Sequence, residues 1–391
     1  MTRRNLARAA AASALSYSRI LGANDRIGLG VIGTGGRGIH VMTKFQTMPE
    51  IEVRALCDVY PKRMDDAAQR APNTRTFTQH EKLLELKEVN AILIGSPDHW
   101  HAQHTIDALN AGKDVYVEKP LCRLIREGAD MVKAARVNNR ICQVGLQQRS
   151  GQVYLEAREQ FVRSGRIGKI NFIKAFWNNP PVRRFDPQRA IAKPDNLDWA
   201  RFLGPVGWRE WNPFMYSNFR AFLEFNGGLM TDFGHHWMDV VHMFMGERPP
   251  ERVFATGIWS ANDGRTAPDS VTALFEYPGF RVQFESLAVG VPNEYGVEFY
   301  GDQGKLYVNR NRYEFTPPGR NAEKIVKRWE GDITVDHVRN FLDCVKSRQL
   351  PTADVYLAYR SVQAALLAVQ SMVEKRSITY NPDREEILPL A

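Results

Sequence analysis

Apolar residues in the first third of the chain come in short unbroken runs, each followed by a polar or glycine-rich break and a longer stretch with one apolar face. Ile27–Gly33, Val53–Asp58, Asn90–Ser96, Asp114–Glu118 and Ile141–Gln147 are such runs, rich in Val and Ile, and predict strands buried on both faces. The intervening patterns predict helices near 36–46, 62–70, 81–86, 101–111 and 125–138. Strands alternating with helices require right-handed crossovers, so residues 24–147 are expected to form a doubly wound parallel sheet of the Rossmann type.

Past residue 148 the pattern changes. A helical stretch, Tyr154–Ser164, leads to a strand-like run, Lys169–Trp177, and then to 178–225, dense in Pro, Arg and aromatic residues and expected to be irregular. A helix is predicted over Met230–Met245. Arg252–Trp259, Ser270–Tyr277, Phe280–Ala288, Gly296–Tyr300 and Lys305–Asn309 follow at hairpin spacing. Residues 148–334 therefore read as an α+β domain with a large, mostly antiparallel open sheet. Helices at Val335–Ser347 and Val355–Lys375 form a C-terminal unit (335–375), and 376–391 reads as a tail.

At 391 residues, 43% hydrophobic and 25% charged, the chain has ordinary globular composition and room for two domains. No run reaches the ~20 apolar residues of a membrane span. The four Cys are scattered without a CxxC pair, and no metal site is expected. The formal charge of +8 suggests a nucleic-acid partner, but half of it lies on Arg3, Arg4, Arg8 and Arg19 in residues 1–23, which carry no acid. Without a basic run or motif elsewhere, nucleic acid is not expected as a partner. Thr2-Arg3-Arg4-Asn5-Leu6-Ala7-Arg8, followed by Ala9–Leu15, has the pattern of a twin-arginine leader, with Ala12-Ser13-Ala14 as a cleavage site. The expectation is export to the periplasm; the alternative is a basic helix retained on a cytoplasmic protein.

Gly33-Thr34-Gly35-Gly36-Arg37-Gly38 satisfies G-x-G-x-x-G directly after the first strand and at the start of a helix. Gly33 permits the tight turn, Gly35 lets backbone approach a diphosphate, and Gly38 allows helix and strand to pack closely. Asp58, twenty residues after Gly38, ends the next strand, where a carboxylate can accept from adenosine ribose hydroxyls. It would repel a 2′-phosphate, so NAD is expected over NADP, although Lys62 and Arg63 stand nearby.

Ser96-Pro97-Asp98-His99-Trp100-His101, Glu118-Lys119-Pro120 and Gly227-Gly228-Leu229-Met230-Thr231-Asp232-Phe233-Gly234-His235-His236, taken with the fingerprint, resemble the Gfo/Idh/MocA family, the glucose–fructose oxidoreductase and inositol dehydrogenase group. The resemblance runs from residue 25 onward. It implies an NAD(P)-dependent oxidoreductase of sugars or polyols that forms dimers or tetramers, with Lys119, Asp232 and His236 as catalytic residues. Ser96, Pro97, His101, Glu118 and Lys119 then face the coenzyme, His101 chiefly as an organiser of its loop. The chemistry is coherent: a near-neutral imidazole suits proton transfer, and an ammonium stabilises charge developing on oxygen. Asp232 and His236, four apart on a helix, share a face, so the carboxylate is expected to position the imidazole or substrate. His235 is the competitor of His236.

Besides Lys119, Asp232 and His236, the substrate candidates are Gln147, Arg149, Trp177, Asn178 and Arg220, with Trp199, Trp208, Trp211 and Tyr216 as further rings for a pyranose to stack on or as mere loop core. Two alternatives stand beside the dehydrogenase. One is redox-assisted glycoside hydrolysis with bound NAD; the other is a non-catalytic NAD-binding regulator.

Overall fold

Six parallel strands make the first sheet, in the order β3-β2-β1-β4-β5-β6. They are β1 (Ile27–Ile32), β2 (Ile51–Cys57), β3 (Arg75–Phe77), β4 (Ala91–Ile94), β5 (Asp114–Val117) and β6 (Cys142–Val144). The computed structural model describes residues 26–178, 186, 191–288 and 292–389, so the leader expected at 1–23 lies outside them. Strand β4 shows why the runs are unbroken. Ala91 and Leu93 face one core and Ile92 and Ile94 another, so each residue buries its side chain. Helices α1 (Gly36–Phe45), α2 (Pro61–Ala68), α3 (His80–Leu84), α4 (His101–Asn110) and α5 (Ile125–Val137) cover the faces. The edge strand β3 is absent from the sequence reading because Arg75 and Thr76 are exposed and carry no apolar signal.

The second sheet has ten strands in the order β14-β13-β12-β11-β7-β10-β9-β8-β15-β16. These are β7 (Ile170–Asn178), β8 (Arg252–Ile258), β9 (Ser270–Tyr277), β10 (Phe280–Leu287), β11 (Glu294–Gly301), β12 (Gly304–Val308), β13 (Arg312–Thr316), β14 (Ile325–Arg328), β15 (Ile378–Asn381) and β16 (Glu386–Ile387). Only the β7–β10 pair is parallel. One face packs on α6 (Gln152–Ala157) and on later helices, with Trp237, Phe284 and Phe299 fully buried. Strand β15 pairs with β8, so the stretch read as a tail is partly sheet.

The stretch read as irregular, where described, carries α7 (Trp199–Leu203) and α8 (Pro213–Ser217) around a small core of Trp199, Phe202, Phe214, Tyr216, Phe222 and Phe225. It lies over the strand-end loops of the first domain: His99 Nε2 is 2.8 Å from the Phe202 carbonyl, and Trp100 Nε1 donates to the Arg201 carbonyl at 3.0 Å. The helix predicted from Met230 begins as a π-helical turn, Met230–Gly234, before α9 (His235–Met245). Such widened turns recur at functional sites.

Helices α10 (Ile333–Ser347) and α11 (Val355–Glu374) are not a separate unit. Val338, Phe341 and Leu342 of α10 enter the first domain's core. On α11, Val355, Ala358 and Val362 pack beneath the parallel sheet, while Ala365, Ala368 and Met372 pack on the second sheet. One helix thus fixes both walls of the cleft between the domains.

Candidate active site

The cleft opens at the C-terminal ends of β1, β4 and β5, where strand order reverses and doubly wound sheets take their ligands. The cavity measures about 580 Å³ and is lined from both domains.

Its floor is the glycine turn. Gly33 has φ of 86°, and a Cβ there would lie 2.3 Å from the Ser96 nitrogen. A Cβ on Gly38 would lie 2.0 Å from the Gly33 carbonyl oxygen, so helix α1 presses directly on the turn. Gly36 instead has nothing within 4 Å, and Gly35 meets only the tip of Arg63 at 3.3 Å. No acidic side chain occupies the first turn of α1, which leaves its N–H groups and partial positive charge toward the cavity. That cradle fits a diphosphate.

Asp58 lies beside it. Its Oδ2 accepts from the Thr34 N–H at 2.9 Å and from the Thr34 hydroxyl at 3.2 Å, and its Oδ1 from the Tyr60 N–H at 3.0 Å. Burial raises its pKa, against the opposing pull of Arg63. A narrow slot lined by Val59, Thr78, Pro97 and Phe202 continues past Asp58 and suits a flat base. Together these features fit a dinucleotide.

Lys119 follows β5 and is joined to Pro120 by a cis bond. Its Nζ donates to the Asp232 carboxylate and to the Asp232 carbonyl, both at 2.6 Å, and Arg220 Nε reaches the same carboxylate oxygen at 3.3 Å. Burial would raise the Asp232 carboxyl, but the Lys119 ammonium and Arg220 guanidinium outweigh it and hold the group down to about 2. The carboxylate thus positions the ammonium, not the imidazole as the four-residue spacing suggested. The partner of the imidazole is Gln148, whose Oε1 lies 3.1 Å from His236 Nδ1. Burial, then the charges of Lys119 and Arg310, push His236 well below the ordinary imidazole range, which favours the neutral ring. His235 points away, with Nε2 3.2 Å from the Ser361 hydroxyl in the core.

Glu118 Oε1 accepts from Arg37 at 2.9 Å and from Gln147 at 3.2 Å, tying the glycine turn to the end of β5. His101 spans the Ser96 carbonyl at 2.9 Å and the Pro120 carbonyl at 2.7 Å, holding two site loops together. Ser96, Pro97, His101, Gln147, Trp177, Tyr216 and Arg220 all line the cavity.

Two substrate candidates do not. Arg149 is buried in an ion-pair cluster, donating to Asp239 at 2.9 Å and to Glu247 at 3.0 Å, and its role is structural. Asn178 turns toward Glu285 at 3.5 Å, outside the cavity. Trp199 and Trp211 pack edge to face in the aromatic cap, and Trp208 is exposed. Sequence reasoning missed Gln148, Asp98 and Arg310. Arg310 sits in the β12–β13 turn, Asn309-Arg310-Asn311, which reads as a solvated hairpin tip. Among the described residues no His/Cys/Asp/Glu group could hold a metal, and no helix is long and apolar enough to cross a membrane.

Residues 27–146 match an oxidoreductase family with an NAD-binding Rossmann fold, and residues 205–307 match the GFO/IDH/MocA C-terminal domain. A myo-inositol 2-dehydrogenase of Thermotoga maritima is 22% identical over 90% of this chain and 97% of its own. A glycosyl hydrolase family 109 protein of Shewanella sp. (strain ANA-3) is 27% identical over 37% of this chain and 34% of its own length, about a third of that relative. A solved levoglucosan dehydrogenase, in complex with NADH and levoglucosan, shares the fold with a TM-score of 0.72, at 17% identity over 90% of this chain and 99% of that one.

Proposed function

The chain belongs to the Gfo/Idh/MocA oxidoreductase family, and from that premise we propose that it transfers hydride between NAD and a secondary alcohol of a sugar, polyol or glycoside. One observation carries the reading: Lys119, Asp232 and His236, remote in sequence, line the same cavity as the glycine turn and Asp58.

Residues 33–36 and Asp58 would hold the dinucleotide, whose oxidised nicotinamide would supply the hydride acceptor. His236, neutral and held at Nδ1 by Gln148, presents Nε2 to take the hydroxyl proton as the C–H pair departs. Lys119, anchored twice by Asp232, donates to the oxygen while alkoxide charge develops there. Arg220 and Trp177 shape the substrate side of the cleft. NAD is favoured because Asp58 already accepts three hydrogen bonds as a carboxylate and opposes a further anion.

We further read residues 1–23 as a twin-arginine leader, a route that carries folded protein with its coenzyme in place. The exposed face of the second sheet, where Phe254 lies opposite Leu274, is our choice for self-association.

The test is a screen of purified protein with NAD against sugars, polyols, their keto forms and aryl glycosides, read by reduced-nicotinamide absorbance, with denatured supernatant assayed for retained nucleotide. The family 109 match favours a second reading, transient oxidation followed by glycoside elimination and re-reduction. Aglycone release without net reduced coenzyme identifies that chemistry.

A further inference from the structure

The cavity has more positive charge than its own carboxylates neutralise, and the surplus is local. Arg37 is paired with Glu118, Arg63 acts on Asp58, and Lys119 and Arg220 share Asp232, with Asp98 also acting on Arg220. Arg310 lines the same cavity with no acid in contact: among the described residues its guanidinium has no hydrogen-bond acceptor or ion-pair partner, and its Nε is sealed from solvent. An aromatic face, Trp177, lies 5.3 Å from the guanidinium carbon, and the carboxylate whose charge reaches it, Glu118, is already paired with Arg37.

A guanidinium remains charged at any working pH, and here it is partly buried, with Nε sealed and no counter-charge in contact, so an anion bound in the cavity gains a charged donor that the free protein leaves unpaired. The turn that carries it is fixed at the backbone. Asn309 Oδ1 accepts from the Asn311 and Arg312 N–H groups, both at 2.9 Å, and the Asn311 carbonyl accepts from the Trp329 N–H at 2.6 Å. The side chain lines the cleft from the second-domain wall with Trp177 and His236, whereas the diphosphate cradle at Gly35 and Gly36 belongs to the first domain.

We infer that Arg310 is a specificity residue that binds a carboxylate of the substrate, and that the alcohol oxidised here belongs to a sugar acid, a uronate or an aldonate, rather than to a neutral sugar. The inference rests on the dehydrogenase reading for the word oxidised, but not for the binding.

Two measurements separate the two. Protein saturated with NADH is titrated by calorimetry with glucuronate, galacturonate and gluconate, and with the neutral counterparts glucose, galactose and glucitol. Turnover with NAD is measured on the same six compounds. The expected result is that at least one acid binds and outcompetes its neutral counterpart. In Arg310→Met that preference should fall ~100-fold, with Arg310→Lys recovering part of it and NADH affinity unchanged in both. Acid binding that depends on Arg310 without any turnover upholds the inference about Arg310 and removes the dehydrogenase reading. Equal or better binding of the neutral compounds, the same loss for acid and neutral ligands in Arg310→Met, or a change confined to NADH affinity overturns it.

Discussion

The Lys119 ammonium and Asp232, 113 residues apart, meet through two hydrogen bonds of 2.6 Å, one to the carboxylate and one to the carbonyl of the same residue. The carbonyl belongs to the π-helical turn, so the widened backbone as well as the acid fixes where the ammonium points. Lys119→Met should therefore lower kcat ~10²–10³-fold while reduced coenzyme still binds, because the lost donor acts on charge that develops during the reaction. Steady-state kinetics with a fluorescence titration of NADH checks this. Unchanged kcat would remove Lys119 from the chemistry.

Asp58 and Arg63 pull coenzyme choice in opposite directions. The carboxylate lies where ribose hydroxyls would be bound, and the guanidinium tip stands over Gly35. Asp58→Ala should move the ratio of kcat/KM for NAD over NADP by ~100-fold toward NADP, since a desolvated like-charge clash is worth several kcal/mol. Adding Arg63→Ala to that variant should reverse part of the change. A ratio unmoved by Asp58→Ala would remove the acid from coenzyme selection.

Acid should unfold the protein earlier than its carboxylates alone would. Burial, the largest influence, lowers His99, His235 and His242 to about 3 from the ordinary 6.5. The unfolded chain then binds more protons than the native one between those values. The stability these groups contribute is whole above about pH 6.5 and is lost as pH falls toward 3. At pH 5.5 each costs on the order of 1 kcal/mol. Denaturant midpoints measured from about pH 7.5 to 5 should fall steadily below 6.5, and a flat profile over that range would contradict the burial.

Arg149 separates structure from binding. It neutralises Asp239 and Glu247 together, so Arg149→Met leaves two carboxylates without their cation and should destabilise by ~3–5 kcal/mol. Thermal denaturation and the KM of the surviving folded fraction check both halves. A raised KM at unchanged Tm would instead place the side chain against the substrate.

Much of this was legible because it is local. The glycine turn, Asp58 and the strand-end loops announce themselves by spacing, since one residue's demand for space or charge fixes each position. The second sheet was legible in outline from alternation, as in β8, where Phe254 is exposed between buried Val253 and Ala255. The illegible parts are contacts that only the folded chain creates. Gln148 reads as a loop residue until it meets His236 across 88 positions. Arg149, its neighbour, looked equally fit for substrate until Asp239 and Glu247 closed on it. The π turn shifts which residues face one another, so an i, i+4 argument found the right face but the wrong partner for Asp232. Arg310 carries no signal at all, because a basic residue between two asparagines is what an exposed hairpin tip also looks like.

The central claim is that one alcohol gives its proton to His236 and its hydride to the coenzyme while Lys119 holds its oxygen. Its most direct test is a single turnover of the NAD-loaded protein with an accepted alcohol and with the same alcohol deuterated at the reacting carbon, in the wild type and in His236→Asn, across about pH 6 to 8. An ordinary imidazole would lose about three-quarters of its base form by pH 6, but the buried His236 should not. The account predicts reduced nicotinamide forming with a primary isotope effect, at a rate nearly flat with pH and slowed ~10²–10⁴-fold in His236→Asn. Equal rates in the two proteins, or no isotope effect in either, would contradict it.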